Sequence, residues 1–198
     1  MNSLSRLKQE IRKIIAGSSV PEDPLHAENT VQWVKKLKPD ADEALIIAAL
    51  AHDIERAIED RKVKKSLFSD YDEFKEAHAL NSARIIKEIM LSHGVERQLI
   101  DEVYRLVRFH EKGGDPRTDV LRDADALSFF EVNMPFYYER EGFENTLERC
   151  LWGFRRISGN NRAYLKTLRF KDKDLQKILE ILLRDHSPES AESLPICY

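Results

Sequence analysis

Residues 44–55 read Ala-Leu-Ile-Ile-Ala-Ala-Leu-Ala-His-Asp-Ile-Glu, and this stretch decides the fold. Its first eight residues would be apolar on every side of a helix, and such a helix belongs in the centre of a bundle. The run is far too short to cross a bilayer, which takes about 20 residues. His52 and Asp53 follow directly, and adjacent side chains diverge by about 100° around a helix axis. The stretch therefore predicts a buried central helix with a polar His-Asp pair near its end.

The rest of the chain continues the helical pattern. No period-two strand or Asn-Gly hairpin signal occurs, and the cluster Gly113-Gly114-Asp115-Pro116 marks a clear break. We predict an all-α bundle forming one domain over residues 1–198. Its motif core covers about 20–132, its C-terminal helices 143–185 and its tail 187–198. Helices are expected near 3–16, 25–37, 41–59, 70–92, 95–110, 118–132, 143–157 and 161–185, the last interrupted near Phe170 to Asp174.

Composition narrows the class of protein. The 198 residues carry a net charge of only −3, so nothing global points to nucleic acid or an anionic membrane as partner. Two cysteines, Cys150 and Cys197, fit a reducing compartment, with Cys197 in the predicted tail. No secretory signal opens the chain. We expect a cytoplasmic protein with no membrane partner; the sequence predicts no oligomeric state.

Histidine and aspartate recur in or beside the apolar helices. The candidate ligands are His26, His52, Asp53, His78, His110 and Asp125. Each alone has an ordinary explanation, such as a core histidine bonded to a carbonyl, or Asp53 paired with Arg56 and Asp125 with Arg122. Buried carboxylates and imidazoles are costly without partners, whereas one type of ligand, a divalent metal ion, would satisfy all six. The set favours a metal site.

Spacing indicates which of these side chains point inward. Asp125 lies four residues from Leu121 and Phe129, so it shares their apolar face, whereas Asp123 points away from it. His78 and His110 also continue apolar stripes, and neither has an obvious carboxylate partner on its own helix face. We predict that both histidines face the same cavity as the His-Asp pair.

Three pieces of the sequence resemble the HD superfamily of metal-dependent phosphohydrolases. They are Leu25-His26-Ala27-Glu28, Ala49-Leu50-Ala51-His52-Asp53-Ile54-Glu55-Arg56 and Leu121-Arg122-Asp123-Ala124-Asp125-Ala126-Leu127. Members of the superfamily are all-helical and carry a histidine, a His-Asp doublet on a central helix and a distant aspartate. The resemblance covers roughly His26 to Glu131 and implies an HD-domain helical bundle.

The resemblance also implies a ligand set and an activity. The primary metal ligands would be His26, His52, Asp53 and Asp125, with His78 and His110 as the extra histidines of members that hold two metals bridged by Asp53. The implied enzyme hydrolyses a small phosphate ester, a nucleotide being one candidate, by metal-activated water. Nitrogen and oxygen donors without thiolates suit one or two ions of Mn, Fe, Co, Ni or Zn.

Catalytic roles follow from the same implied chemistry. Asp53 or Asp125 could accept the proton of the water, whereas Glu55 is expected on the solvated side. Arg56 stands where some members carry a glutamate, and it resembles the basic residue of others that meets a substrate phosphate. We expect Arg56 and Lys112 to offset phosphate charge.

Other functions stay open at this stage. The chain could be a regulatory domain that binds metal or a nucleotide without turnover, or a di-iron protein that uses oxygen. The basic segment Arg149 to Lys173 could line the mouth of a site for an anionic substrate or touch nucleic acid. We favour a solvated helix face for this segment, because charge runs usually face solvent. A nucleic-acid-binding bundle is the least favoured, since no recognition motif occurs.

Overall fold

The computed structural model describes residues 3–184, and no β-strand occurs in that range, so the all-α prediction is confirmed. The α-helices are α1 (Ser3–Ile15), α2 (Asp23–Leu37), α3 (Glu43–Ala51), α4 (Tyr71–Ser92), α5 (Arg97–Phe109), α6 (Pro116–Ser128), α7 (Met134–Arg156) and α8 (Lys173–Arg184). Short 3₁₀ helices lie at Ile54–Ala57, Glu59–Arg61, Lys65–Leu67 and Gly159–Thr167, and a π-helix lies at Phe129–Asn133. The predicted tail, including Cys197, lies outside the described residues.

Helix α3 is the centre of the fold, as its apolar sequence predicts. Asp42 caps its first turn by accepting a hydrogen bond from the backbone N–H of Leu45 at 3.1 Å. Residues 47–51 are all buried, and the helix packs against α1, α2, α5 and α6. A helix enclosed on all these sides gives its C-terminal end a buried environment, and the His-Asp pair occupies that end.

The central helix is shorter than predicted. It ends at Ala51 rather than near residue 59, and the chain continues in 3₁₀ turns after Asp53, whose φ and ψ of −105° and 16° are not helical. The backbone N–H of Val63 donates to the buried Glu55 carboxylate at 2.6 Å, so the chain turns back over this region. His52 and Asp53 therefore sit at a helix end, where consecutive side chains can approach one cavity.

Two C-terminal helices complete the bundle with different bounds from those expected. Helix α7 begins at Met134 rather than near 143, and Gly142, with φ of 75°, bends it where that predicted start lies. Residues 168–172 separate the 3₁₀ helix from α8, which matches the predicted interruption. Helices α7 and α8 pack together. Between residues 3 and 184, no helix combines the length and apolarity needed to traverse a bilayer.

Candidate metal centre

The structure brings all six predicted ligand residues to one region from five helices. His26 lies on α2, His78 on α4 and Asp125 on α6, whereas His52 and Asp53 directly follow α3. His110 directly follows α5. Helix bundles commonly build metal sites from side chains that project inward from several helices in this way.

The ligand atoms form two groups, each within a span of 4.8 Å. One group is His26, His52 and Asp125; the other is Asp53, His78, His110 and Glu111. In the first group Asp125 Oδ1 lies 3.1 Å from His26 Nε2 and 3.4 Å from His52 Nε2. In the second, His78 Nε2 lies 2.7 Å from Asp53 Oδ1. Each group has enough nitrogen and oxygen donors to hold a divalent ion.

Asp53 lies between the two groups. Its Oδ1 is 2.7 Å from His78 Nε2, 3.7 Å from His52 Nε2 and 3.8 Å from His110 Nε2. Its Oδ2 is 4.0 Å from His26 Nε2. Asp53 is thus close to a nitrogen of all four histidines and is positioned to contribute to either group.

The Nδ1 atom of each of the four histidines contacts its own partner outside the two groups. His52 Nδ1 bonds the carbonyl of Ala49 at 2.8 Å, and His110 Nδ1 bonds the carbonyl of Val107 at 2.7 Å. The Nδ1 of His26 lies 2.9 Å from Ser128 Oγ, and Nδ1 of His78 lies 2.7 Å from Glu55 Oε1. A neutral imidazole that donates from Nδ1 carries its lone pair on Nε2, and such outer partners are typical of metal-binding histidines.

The Nε2 atoms of the histidines, which face the interior of the cluster, are arranged in a way that suits a cation. Nε2 of His26 and Nε2 of His52 face each other at 3.1 Å, and in the neutral tautomer fixed by Nδ1 donation both carry lone pairs. That contact needs positive charge between the rings. Burial lowers the pKa of His52, but the carboxylates of Asp53 and Asp125 outweigh it and raise the pKa to about 9, so a proton can occupy this position. A divalent ion would supply the same charge to more of the donors.

His110 presents a buried nitrogen of the same kind. Its Nε2 has no hydrogen-bond partner among residues 3–184, and its nearest carboxylate oxygen is Glu111 Oε1 at 3.3 Å. Burial lowers the pKa of His110, which keeps its ring neutral and its lone pair available. An unpaired buried acceptor is costly, and a metal ion bound there would satisfy it.

Glu111 is a candidate ligand that the sequence reasoning missed. Its carboxylate is buried with Lys75, which forms a close ion pair with Oε1, and Arg156, whose Nη2 lies 2.6 Å from Oε2. Burial raises the pKa of Glu111, but Arg156 and Lys75 outweigh it and hold the pKa well below its usual value. The order His110-Glu111 repeats the order His52-Asp53. This second pair of a histidine followed by an acid is the sequence signal that could have identified Glu111 as a ligand.

Glu55 corrects a second expectation. It was predicted on the solvated side, but it is only 1% exposed, and its Oε1 bonds His78 Nδ1. His78 therefore has a buried carboxylate partner. Because this partner lies in the neighbouring 3₁₀ turn, the residues on the helix face of His78 could not predict it. The contact orients the His78 ring toward Asp53.

The two predicted phosphate-binding cations occupy different environments. Arg56 Nη1 lies 3.4 Å from Asp53 Oδ2, and its Nη2 lies 2.9 Å from the buried Asp23. Lys112 instead extends from the surface, with a side chain 72% exposed, and pairs with Glu76 at 3.0 Å. Arg56 therefore pairs with a residue of the metal-binding groups, whereas Lys112 pairs with a residue outside them.

The basic segment from residue 149 onward is not uniformly a solvated face. Arg156 has a side chain 9% exposed, and its Nη2 lies 3.1 Å from Asp125 Oδ2. Asp125 therefore pairs with Arg156, whereas Arg122 pairs with the buried Asp123 at 3.1 Å. The nearest aspartate to the two histidines of the first group is Asp125, as its spacing indicated.

Together these observations define an all-α protein with a buried histidine-carboxylate cluster that could hold one or more metal ions. The chain belongs to the family described as "Domain of unknown function (DUF4202)", whose model matches residues 7–178. That match spans every candidate ligand. Among curated proteins and among solved structures, no significant match was found.

Proposed function

We propose that this protein is a metal-dependent phosphohydrolase that acts on a small phosphate ester, in line with its resemblance to the HD superfamily. The observation that carries the proposal is the set of four histidines, each with Nδ1 held by an outer partner and Nε2 within 4.0 Å of an Asp53 oxygen. Such a set is costly to bury without an ion.

The types of donor atom determine which metal ions the site would hold. His26, His52 and Asp125 would bind one divalent ion, and His78, His110 and Glu111 a second, with Asp53 shared. Once bound, such ions would supply Lewis acidity and lower the pKa of water from its bulk value to about 7. We propose one or two ions of Mn, Fe, Co, Ni or Zn.

The chain's own residues would do the remaining work. Arg56, beside Asp53, would bind a phosphate oxygen and offset its charge. Either Asp53 or Asp125 would accept the proton of the water. Arg156 would hold the Asp125 carboxylate in place through the contact at Oδ2, leaving Oδ1 toward the histidines.

Metal analysis and a substrate panel test this proposal. Protein purified without added ions or chelators should contain a bound transition metal and hydrolyse at least one of a panel of phosphate monoesters and diesters. Asp53→Ala should lower both metal content and hydrolysis to background, because Asp53 faces all four histidines. The matched control is Asp60→Ala, an exposed aspartate nearby. Metal retention without hydrolysis of any ester would reject the hydrolase, and full metal retention in Asp53→Ala would reject the site.

A titration addresses the number of ions. Metal-free protein should bind two Mn²⁺ per chain, because two groups of donors flank Asp53. His78→Ala should remove one binding event and leave the other. Saturation at one ion, unaffected by His78→Ala, would reject the two-ion form.

A further inference from the structure

Arg149 carries a buried nitrogen that no residue of the described chain satisfies. This arginine lies on α7, and its guanidinium stacks 4.1 Å from the ring centre of Phe129 and 4.5 Å from that of Trp152. Its Nη1 is buried and has no hydrogen-bond partner among residues 3–184. The two rings restrict the guanidinium through cation–π contacts, and Arg149 also lines two neighbouring cavities where an anion could reach it.

The neighbouring cations are already paired. Arg149 lines a cleft of about 200 Å³ together with Arg56, Lys75 and Arg140. Arg56 pairs with Asp23, Lys75 with Glu111, and Arg140 with the buried Glu22 at 2.7 Å. Arg149 is partly buried, and unlike these three cations it forms no ion pair within residues 3–184. Leaving one nitrogen of this guanidinium buried without a partner is costly, and a bound anion would offset the unpaired charge.

The position of Arg149 links the cleft to a larger cavity. The cleft also includes His78 and Arg56 in its walls, so it reaches the second metal-binding group. A cavity of about 370 Å³ shares Arg149, Tyr71 and Tyr137 with this cleft. The cleft is smaller than typical ligand pockets, which measure about 300–1,000 Å³, and the adjoining cavity is within that range.

Aromatic side chains form much of the larger cavity. Its aromatic lining residues are Phe68, Tyr71, Tyr137 and Trp152. Tyr71 and Trp152 meet edge to face with ring centres 5.1 Å apart, and the Trp152 indole N–H donates to Asp72 at 3.0 Å. These contacts hold the indole in place. Aromatic walls of fixed geometry favour a planar ring as ligand, because offset and edge-to-face ring contacts are attractive.

We infer that Arg149 binds the anionic group of a ligand and that the larger cavity holds a planar ring attached to it. This inference rests on the proposed function and gives the substrate class, a phosphate ester with an aromatic or heterocyclic group. The phosphate would lie between Arg149 and the His78 side of the cleft. The ring would lie between Tyr137 and Trp152, so Arg149 would supply affinity for the anion and the aromatic lining would supply the preference for a ring.

Binding of phosphonates tests the inference without hydrolysis. Phenylphosphonate and methylphosphonate are titrated into the protein by calorimetry, in EDTA and again with Mn²⁺. Phenylphosphonate should bind at least about tenfold more tightly than methylphosphonate, a difference of about 1.4 kcal/mol. Arg149→Met should weaken both ligands by about tenfold or more, since it removes a charge-assisted contact. Arg155→Met, an exposed arginine on the same helix, is the matched control and should change neither affinity by more than about twofold.

Two further variants keep the test informative if Arg149→Met does not fold. Arg149→Lys keeps the charge and should retain binding of both phosphonates at reduced affinity, whereas Tyr137→Leu should reduce the preference for the phenyl group.

Equal affinities of the two phosphonates for wild type, absent binding, or equal effects of Arg149→Met and Arg155→Met would overturn the inference. Arg149-dependent binding in a protein that hydrolyses no ester would support this site and reject the hydrolase, so the two failures are distinguishable.

Discussion

Replacing Glu55 with glutamine tests the buried hydrogen bonds that hold His78. The Glu55 carboxylate accepts from His78 Nδ1 at 2.7 Å, from Val63 N at 2.6 Å and from Asn81 Nδ2 at 3.2 Å. In Glu55→Gln one of the two oxygens becomes an NH₂ group, so a donor must face either the His78 ring or Val63. A buried donor left unsatisfied costs about 1–3 kcal/mol. Loss of an outer partner of a metal-binding histidine typically costs about 10- to 100-fold in affinity.

Two measurements follow from these magnitudes. The free energy of unfolding of Glu55→Gln, from urea titration in EDTA, should fall by about 1–3 kcal/mol. Its affinity for Zn²⁺, from competition with a chelator, should fall by at least about tenfold. Glu59→Gln is the control, because Glu59 is exposed and lies outside both metal-binding groups. Wild-type values of both quantities in Glu55→Gln would refute the reasoning that this buried carboxylate positions His78.

Two other side chains give predictions that do not depend on metal. Burial raises the pKa of Asp115, but hydrogen bonds from the backbone N–H groups of Arg117 and Thr118 outweigh it and lower the pKa from 3.8 to about 2. Stability from this helix cap is therefore complete above about pH 4 and lost as pH falls toward 2. Asp115→Ala should cost about 1 kcal/mol in urea unfolding at pH 7 and progressively less below pH 4, whereas a constant cost would contradict this. Burial raises the pKa of the Cys150 thiol to about 12, so in a Cys197→Ser background iodoacetamide should modify it only in denaturant. Mass spectrometry that finds native-state alkylation would contradict that prediction.

The apolar pattern around the His-Asp pair was enough to predict the centre of the fold. Residues 44–51 cannot be solvated on any face, so a central helix is the favourable solution, and α3 occupies that place. The inward direction of Asp125 followed from its four-residue spacing to Leu121 and Phe129. These predictions needed only the helical repeat within single helices.

The contacts that the sequence did not predict arise where that repeat ends or where distant segments meet. The prediction extended helical periodicity through residue 59, but α3 ends at Ala51. The periodicity therefore could not predict the direction of the Glu55 side chain. The ion pairs of Glu111 with Lys75 and Arg156 join residues far apart in sequence. Charge runs in a sequence do not distinguish a buried partner such as Arg156 from its exposed neighbour Arg155.

The metal-binding groups take their donors from segments about a hundred residues apart, as in the contact between His26 and Asp125. They therefore exist only once α2 and α6 have docked against α3, and an ion that requires them all binds the native chain in preference to the unfolded one. By mass action such an ion at 100 times its Kd would add about 2.7 kcal/mol to the free energy of unfolding. The midpoint of thermal unfolding would then report the availability of metal in the surrounding solution.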